Sequence, residues 1–167
     1  ARPVRGADGA IIGAVTALRD SHEKTAALRA LATLSRSNAA LVRERDESGL
    51  LQAMCDAAVD AGEFLAVAYV RTTPEGVMTP VAMAGPLVTE LEAIRARDPA
   101  AGGLTREAFR TGETQVTVAP ATDPRTSAFT ALSRDHCLHS GIALPVRAPD
   151  VLDGVLVAVS SDPHAFD

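Results

Sequence analysis

Along the chain the spacing of apolar positions changes period several times, and each change marks an element. Residues 2–5 and 11–18 read as two β-runs flanking Asp8-Gly9, a pair that suits a tight hairpin turn because glycine accepts positive φ. Such a hairpin is marginal on its own in water and reads as the edge of a larger sheet. From 20 to 45 the period becomes helical. Asp20 or Ser21 can cap the start, and Ala27, Leu31, Leu34, Asn38 and Leu41 follow in steps of four and three. That short heptad seam predicts parallel pairing with a second copy, Asn38 setting the register.

A polar break at 44–49 precedes a helix over 48–61, where Leu51, Met54, Cys55, Ala58 and Val59 form one apolar face and Gly62 supplies the stop. Strands are predicted at 64–70 and 77–84 across a turn at 72–76. A helix at 86–97 ends before Asp98-Pro99, since the residue ahead of proline is pushed out of helical geometry. Thr105 is read as the cap of a short helix running to Arg110, with Gly112 as its stop. A short strand at 115–118, a loop at 119–125, a helix at 126–134 and strands at 138–146 and 151–159 complete the chain. The order β-β-α-α-β-α-β-β predicts an α+β fold on one central antiparallel sheet with helices on both faces. The helix at 48–61 and the linker helix are expected on one face, and those at 87–97 and 105–111 on the other.

Charge narrows the function classes. Sixteen basic residues stand against 21 acidic ones, a net of −5, and the arginines are scattered. No patch of the kind that neutralises phosphates is visible, so nucleic acid is not an expected partner. No apolar run approaches the roughly 18 residues of a membrane-spanning helix. Two cysteines, Cys55 and Cys137, do not make a disulfide framework, and a reducing, cytoplasmic setting is expected. With 3% aromatics and no Trp, stacking platforms for bases or sugars are not expected either.

Candidate chemistry is sparse. Lys24, the only lysine, lies at a polar helix start where it reads as a solvated charge. His136-Cys137-Leu138-His139 offers imidazole and thiolate, which together suit zinc, iron or haem. Adjacent residues on extended chain point to opposite faces, and His22 and His164 lie in other segments, so no metal site is expected. Cys55 falls on an apolar helix face as a small hydrophobe. Ser127, Ser133 and Ser140 have no neighbouring His/Asp pattern, and Gly102-Gly103 lacks the Lys-Ser/Thr of a phosphate loop.

The ordered set Leu50-Leu51 with Cys55-Asp56-Ala57-Ala58, Ala66-Val67-Ala68, Gly102-Gly103-Leu104-Thr105, Ala108 to Gly112, Asp123-Pro124-Arg125, Ser140 to Val146 and Asp153-Gly154-Val155-Leu156 resembles a GAF domain over about 30–167. Phe166-Asp167 falls where such domains begin their last helix. The opening hairpin, with Pro3-Val4, Ala7-Asp8-Gly9, Ile12-Gly13-Ala14-Val15 and Arg19-Asp20, resembles the last two strands of a PAS domain. Here Ser21-His22 stands where that family commonly has Ile-Thr. The implied organisation is a PAS-like fragment at 1–19, a linker helix at 20–45 and a GAF-like sensory domain at 46–167.

The resemblance implies a non-catalytic sensor, homodimeric through the linker helix, acting on an output domain in the same bacterial chain (a diguanylate cyclase/phosphodiesterase or a histidine kinase). The alternative is a structural dimerisation and relay module without a physiological ligand. A small, mainly apolar pocket is implied, with Tyr69, Phe109, Phe129 and His139 as its larger side chains. Relatives that attach a bilin use a Cys ahead of the strand, usually followed by His. Leu138 follows Cys137 here, at a position where the family tends to have glycine, so no covalently bound cofactor is expected. Relatives that reduce free methionine sulfoxide need two pocket thiols, and only Cys137 is a candidate.

Overall fold

The computed structural model describes residues 2–5, 11–15, 46–62, 64–73, 77–148 and 151–166. The predicted linker helix at 20–45, with its seam of Ala27, Leu31, Leu34, Asn38 and Leu41, lies outside the described residues. The opening segments pair as expected: β1 (Arg2–Arg5) and β2 (Ile11–Val15) are antiparallel, with Val4 opposite Gly13.

Helix α1 (Glu47–Gly62) begins where Asp46 turns the chain. The Gly49 amide donates to Asp46 Oδ1 at 2.7 Å and the Leu50 amide to the Asp46 carbonyl at 3.1 Å, satisfying amides that the first turn leaves open. Its apolar stripe faces the sheet as the spacing demands. Cys55 is 1% exposed, and Leu51, Ala58 and Val59 pack with it against Val67, Tyr69, Ala82, Ala84 and Ala158.

Five strands form the sheet, in the order β4-β3-β7-β6-β5, every pair antiparallel: β3 (Ala66–Thr72), β4 (Met78–Ala84), β5 (Gln115–Thr117), β6 (Ser140–Ala148) and β7 (Val151–Ser160). β3 starts two residues later than the pattern predicts, because Phe64 leaves the sheet to stack on Phe166 with ring centroids 5.6 Å apart. Register places Ala66, Val159, Gly141 and Thr117 in one row across four strands, and Ala68, Val157 and Ala143 in the next. The intervening rows, Val67–Ala158–Ile142 and Tyr69–Leu156–Leu144, point the other way, toward α1.

The second face carries α2 (Val88–Arg97), α3 (Gly103–Thr111), a 3-10 helix (Pro124–Phe129) and α4 (Thr130–Asp135). The N-cap of α3 is Gly102, not Thr105: it makes no side-chain hydrogen bond, and Thr105 sits inside the first turn. Gly112 ends α3 in the left-handed region, φ 67°, its amide returning to the Ala108 carbonyl at 2.8 Å. The helical stretch after the loop starts at Pro124, two residues earlier than expected. Asp123 accepts from the Arg125 amide at 2.9 Å, and proline supplies a ready-made φ for the first helical position.

Candidate functional site

The face away from α1 encloses a cavity of about 100 Å³. Its floor is sheet: Ala66 and Ala68 on β3, Val157 and Val159 on β7, Gly141 on β6 and Thr117 on β5. α2 contributes Leu91, α3 contributes Leu104 and Thr105, and Phe129, Leu132 and Leu138 close the side. The space exists because alternate positions on β3 and β6 carry a methyl group or a hydrogen where the neighbouring positions carry Val, Tyr, Ile and Leu. A second compartment of about 80 Å³ adjoins it, sharing Ala68, Leu91, Gly102, Thr105, Phe129 and Val157.

The wall is nearly all carbon. Thr126 Oγ1 donates to the Pro120 carbonyl at 2.7 Å, Ser133 Oγ to the Phe129 carbonyl at 2.8 Å, and Thr117 Oγ1 accepts from the Ala119 amide at 3.3 Å. None of the side chains lining the cavity is ionisable.

A larger depression of about 640 Å³ is an open groove beside β4, the sheet's edge strand. Side chains already occupy the main-chain groups that an edge offers. The Gln52 amide donates to the Met83 carbonyl at 2.8 Å and accepts from the Met83 amide at 3.4 Å, and Arg95 donates to the Met78 carbonyl. These contacts blunt the edge against further strand pairing. The more enclosed, apolar cavity is therefore the better candidate site.

Of the four side chains expected around a pocket, Phe129 alone lines this cavity. Tyr69 lies on the opposite face, 4% exposed beneath α1, because odd positions of β3 point away from Ala66 and Ala68. Its hydroxyl donates to Asp153 Oδ2 at 2.5 Å, and Arg71 joins Asp153 at 2.8 Å and Glu47 at 2.5 Å, tying the first turn of α1 to β3 and β7. Burial, and then the Asp153 carboxylate, push the Tyr69 phenol up to about 12. The hydrogen bonds from Tyr69 and Arg71 hold the Asp153 carboxyl below its usual range. A Cβ at Gly154 would stand 2.7 Å from the tyrosine ring, so only glycine lets the ring pass over β7. Phe109 packs beside the cavity, against Leu104, Ala108, Ala143 and Val155. His139 is exposed, its amide bonded to the Ser160 carbonyl at 2.9 Å, and its neighbour Leu138 supplies the wall instead.

Cys137, with φ 52°, takes the left-handed conformation that glycine adopts freely, and it is exposed. Cys55 is buried under α1, where burial raises its thiol to about 11. Neither sulfur lines the cavity. Among the described residues, no three His, Cys, Asp or Glu side chains gather as a metal site would require. No helix among them is long and apolar enough to cross a membrane.

The residues that sequence reasoning passed over are the small ones. Ala66-x-Ala68 and Gly141-x-Ala143 are a visible signal, but only strand register shows that they share a face.

A family model described as GAF domain matches residues 44–167. Among solved structures, the chain is similar to the A. aeolicus nlh2 GAF domain in an inactive state, with a TM-score of 0.65 at 12% identity over 84% of this chain and 85% of that one. It is similar to free methionine-R-sulfoxide reductase from Neisseria meningitidis in complex with its substrate, with a TM-score of 0.65 at 20% identity over 92% and 85%. It is also similar to a domain of a putative two-component sensor histidine kinase protein from Sinorhizobium meliloti 1021, with a TM-score of 0.55 at 15% identity over 74% and 79%. At these identities the likeness is one of fold. No curated protein matches the chain.

Proposed function

The chain belongs to the GAF domain family, whose members are sensory and regulatory modules, and on that premise we propose that it is a non-catalytic sensor that takes a small molecule into the cavity between the sheet and α2–α3. The observation that carries this reading is a partly enclosed, apolar space on one face of a sheet whose other face is filled. Leaving about 100 Å³ unfilled costs roughly 2 kcal/mol. A ligand of matching shape recovers that loss and stabilises the fold by mass action. The two thiols lie outside the cavity, which supports sensing over a cysteine relay.

The signal then passes through the helix at 20–45 in a parallel homodimer to an output domain of the same cytoplasmic chain, a diguanylate cyclase/phosphodiesterase or a histidine kinase. The segment at 1–19 is the end of a preceding PAS-like unit. The ion pair between Arg71 and Glu47 supports a mechanical link, since it fastens the sheet to the first turn of α1, immediately after that helix in sequence. A thermal-shift screen of the chain against metabolites tests the sensing step: at least one stabilising compound is expected, and none across a broad set removes the reading. Light scattering at micromolar concentration tests the relay: a dimer is expected that dissociates on Leu34→Asp with Leu41→Asp. A monomer, or a dimer indifferent to both changes, takes the helix out of the mechanism.

A further inference from the structure

We propose that the cavity selects a neutral, apolar molecule the size of a single aromatic ring with a short substituent, and excludes anions and nucleotides. This rests on the reading that the cavity is the sensory site, and it adds the chemical class of what enters.

Size sets the first limit. Apolar cavities of about 150 Å³ stay dry and take up benzene or xenon. The main compartment here is about 100 Å³ and its neighbour about 80 Å³, so neither alone reaches that size and a ring with a one- or two-carbon substituent needs both together. A nucleotide exceeds both compartments several-fold.

Chemistry sets the second limit. A buried charge must be paired or hydrogen-bonded to be tolerated; Arg95, the one charged side chain lining the second compartment, already donates to the Met78 carbonyl, and the lining of the main cavity holds no Lys, Arg, His, Asp or Glu. Its hydroxyls are mostly spoken for: Thr126 and Ser133 donate to main-chain carbonyls and Thr117 accepts a main-chain amide. Thr105, which lines both compartments, makes no side-chain hydrogen bond with the described residues and leaves room for one weakly polar atom. Phe129 borders both compartments and offers a ring face or edge to an aromatic guest.

Toluene and benzoate, the same ring without and with a carboxylate, are the discriminating probes. Binding is followed by thermal shift and calorimetry on the chain and on two variants. Ala68→Leu fills the floor where the compartments meet. Gly141→Ala adds a methyl group whose nearest neighbours, Val159 Cγ1 at 3.5 Å and Thr117 Cγ2 at 3.6 Å, are at ordinary contact distance, so this variant keeps the fold if the larger one does not. Toluene is expected to raise the melting temperature by a few degrees and benzoate to leave it unchanged. Ala68→Leu should abolish toluene binding and Gly141→Ala weaken it several-fold. Benzoate binding as tightly as toluene, with the same sensitivity to the variants, overturns the neutral class while the sensory reading stands. Toluene binding indifferent to both variants places the ligand elsewhere and overturns the proposal. No binding by toluene while a metabolite of another class binds in a manner Gly141→Ala weakens also overturns the class alone, and no binding by any compound removes both readings.

Discussion

The two faces of one sheet differ in how they are closed. Beneath α1, β3 presents Val67 and Tyr69, β6 presents Ile142 and β7 presents Leu156, and Cys55, Leu51 and Val59 fill between them. The Tyr69–Asp153–Arg71–Glu47 chain of contacts seals the end of that layer. On the reverse, the same strands present Ala66, Ala68 and Gly141, and α2 and α3 bridge over the gap without filling it. One layer is packed and cross-tied, and the other is short of volume. The strands alone thus serve two ends: alternate residues build the stability, and those between them make room for a guest.

The largest test of this division is Tyr69→Ala. It removes a fully buried ring and leaves Asp153 without its phenol, and about 3–5 kcal/mol of unfolding free energy should be lost in urea titrations. Phe129→Ala on the open face should cost about 2 kcal/mol, since that ring is half-buried and already borders empty space. Equal losses at the two positions would erase the distinction.

Adding volume sharpens it from the other side. Ala82→Leu, in the packed layer, overfills a site that is 3% exposed and should cost about 1–3 kcal/mol. Ala68→Leu, the same change on the open face, should be neutral or stabilising in the same measurement. A comparable penalty at both would mean that the cavity is not usable space.

The tied layer also has a pH signature. Tyr69 is the only tyrosine, so phenolate absorbance reads one group. Its midpoint should lie near 12 and not near the ordinary 10. Because the folded value is raised, the associated stability is present in full below pH 10 and is lost between 10 and 12. Tyr69→Phe keeps the packing, removes this dependence and costs about 1.5 kcal/mol at neutral pH, the worth of a hydrogen bond to a carboxylate. A midpoint at 10 would show the phenol to be solvated.

The smallest expected effect lies at the rim of the open face. Cys137 takes a left-handed turn to bring Leu138 into the cavity wall while His136 and His139 stay outside. Cys137→Gly relieves that conformation and should raise stability by about 0.5–1 kcal/mol in thermal unfolding, less than the strain itself because glycine is freer when unfolded. A loss would mean that the thiol makes a contact of its own.

Much of the frame was legible from local pattern. Of the stripe from Leu51 to Val59, Leu51, Cys55, Ala58 and Val59 lie on the buried side of α1, and the short links between apolar runs predicted antiparallel neighbours. Position-by-position reading failed where a residue's role depends on partners far along the chain. Large aromatic side chains drew attention as pocket candidates, yet Tyr69 turned out to be the anchor of the packed layer and Phe109 a neighbour of the cavity. Thr105 looked like a cap by residue type, but the chain had already turned at Gly102.

Among the described residues, the sequence by itself determined the main elements, their antiparallel order and the α+β class, because hydrophobic period, turn residues and chain connectivity are local properties. It also determined that Tyr69 and Ala68 must point to opposite faces. It did not say which face α1 would cover, since both faces of β3 are apolar. Tertiary structure decided that, and with it the cavity. Ala66 and Gly141 meet across Val159 only once β3, β7 and β6 are in register. An empty space is a property of what fails to reach it, so no single residue carries it.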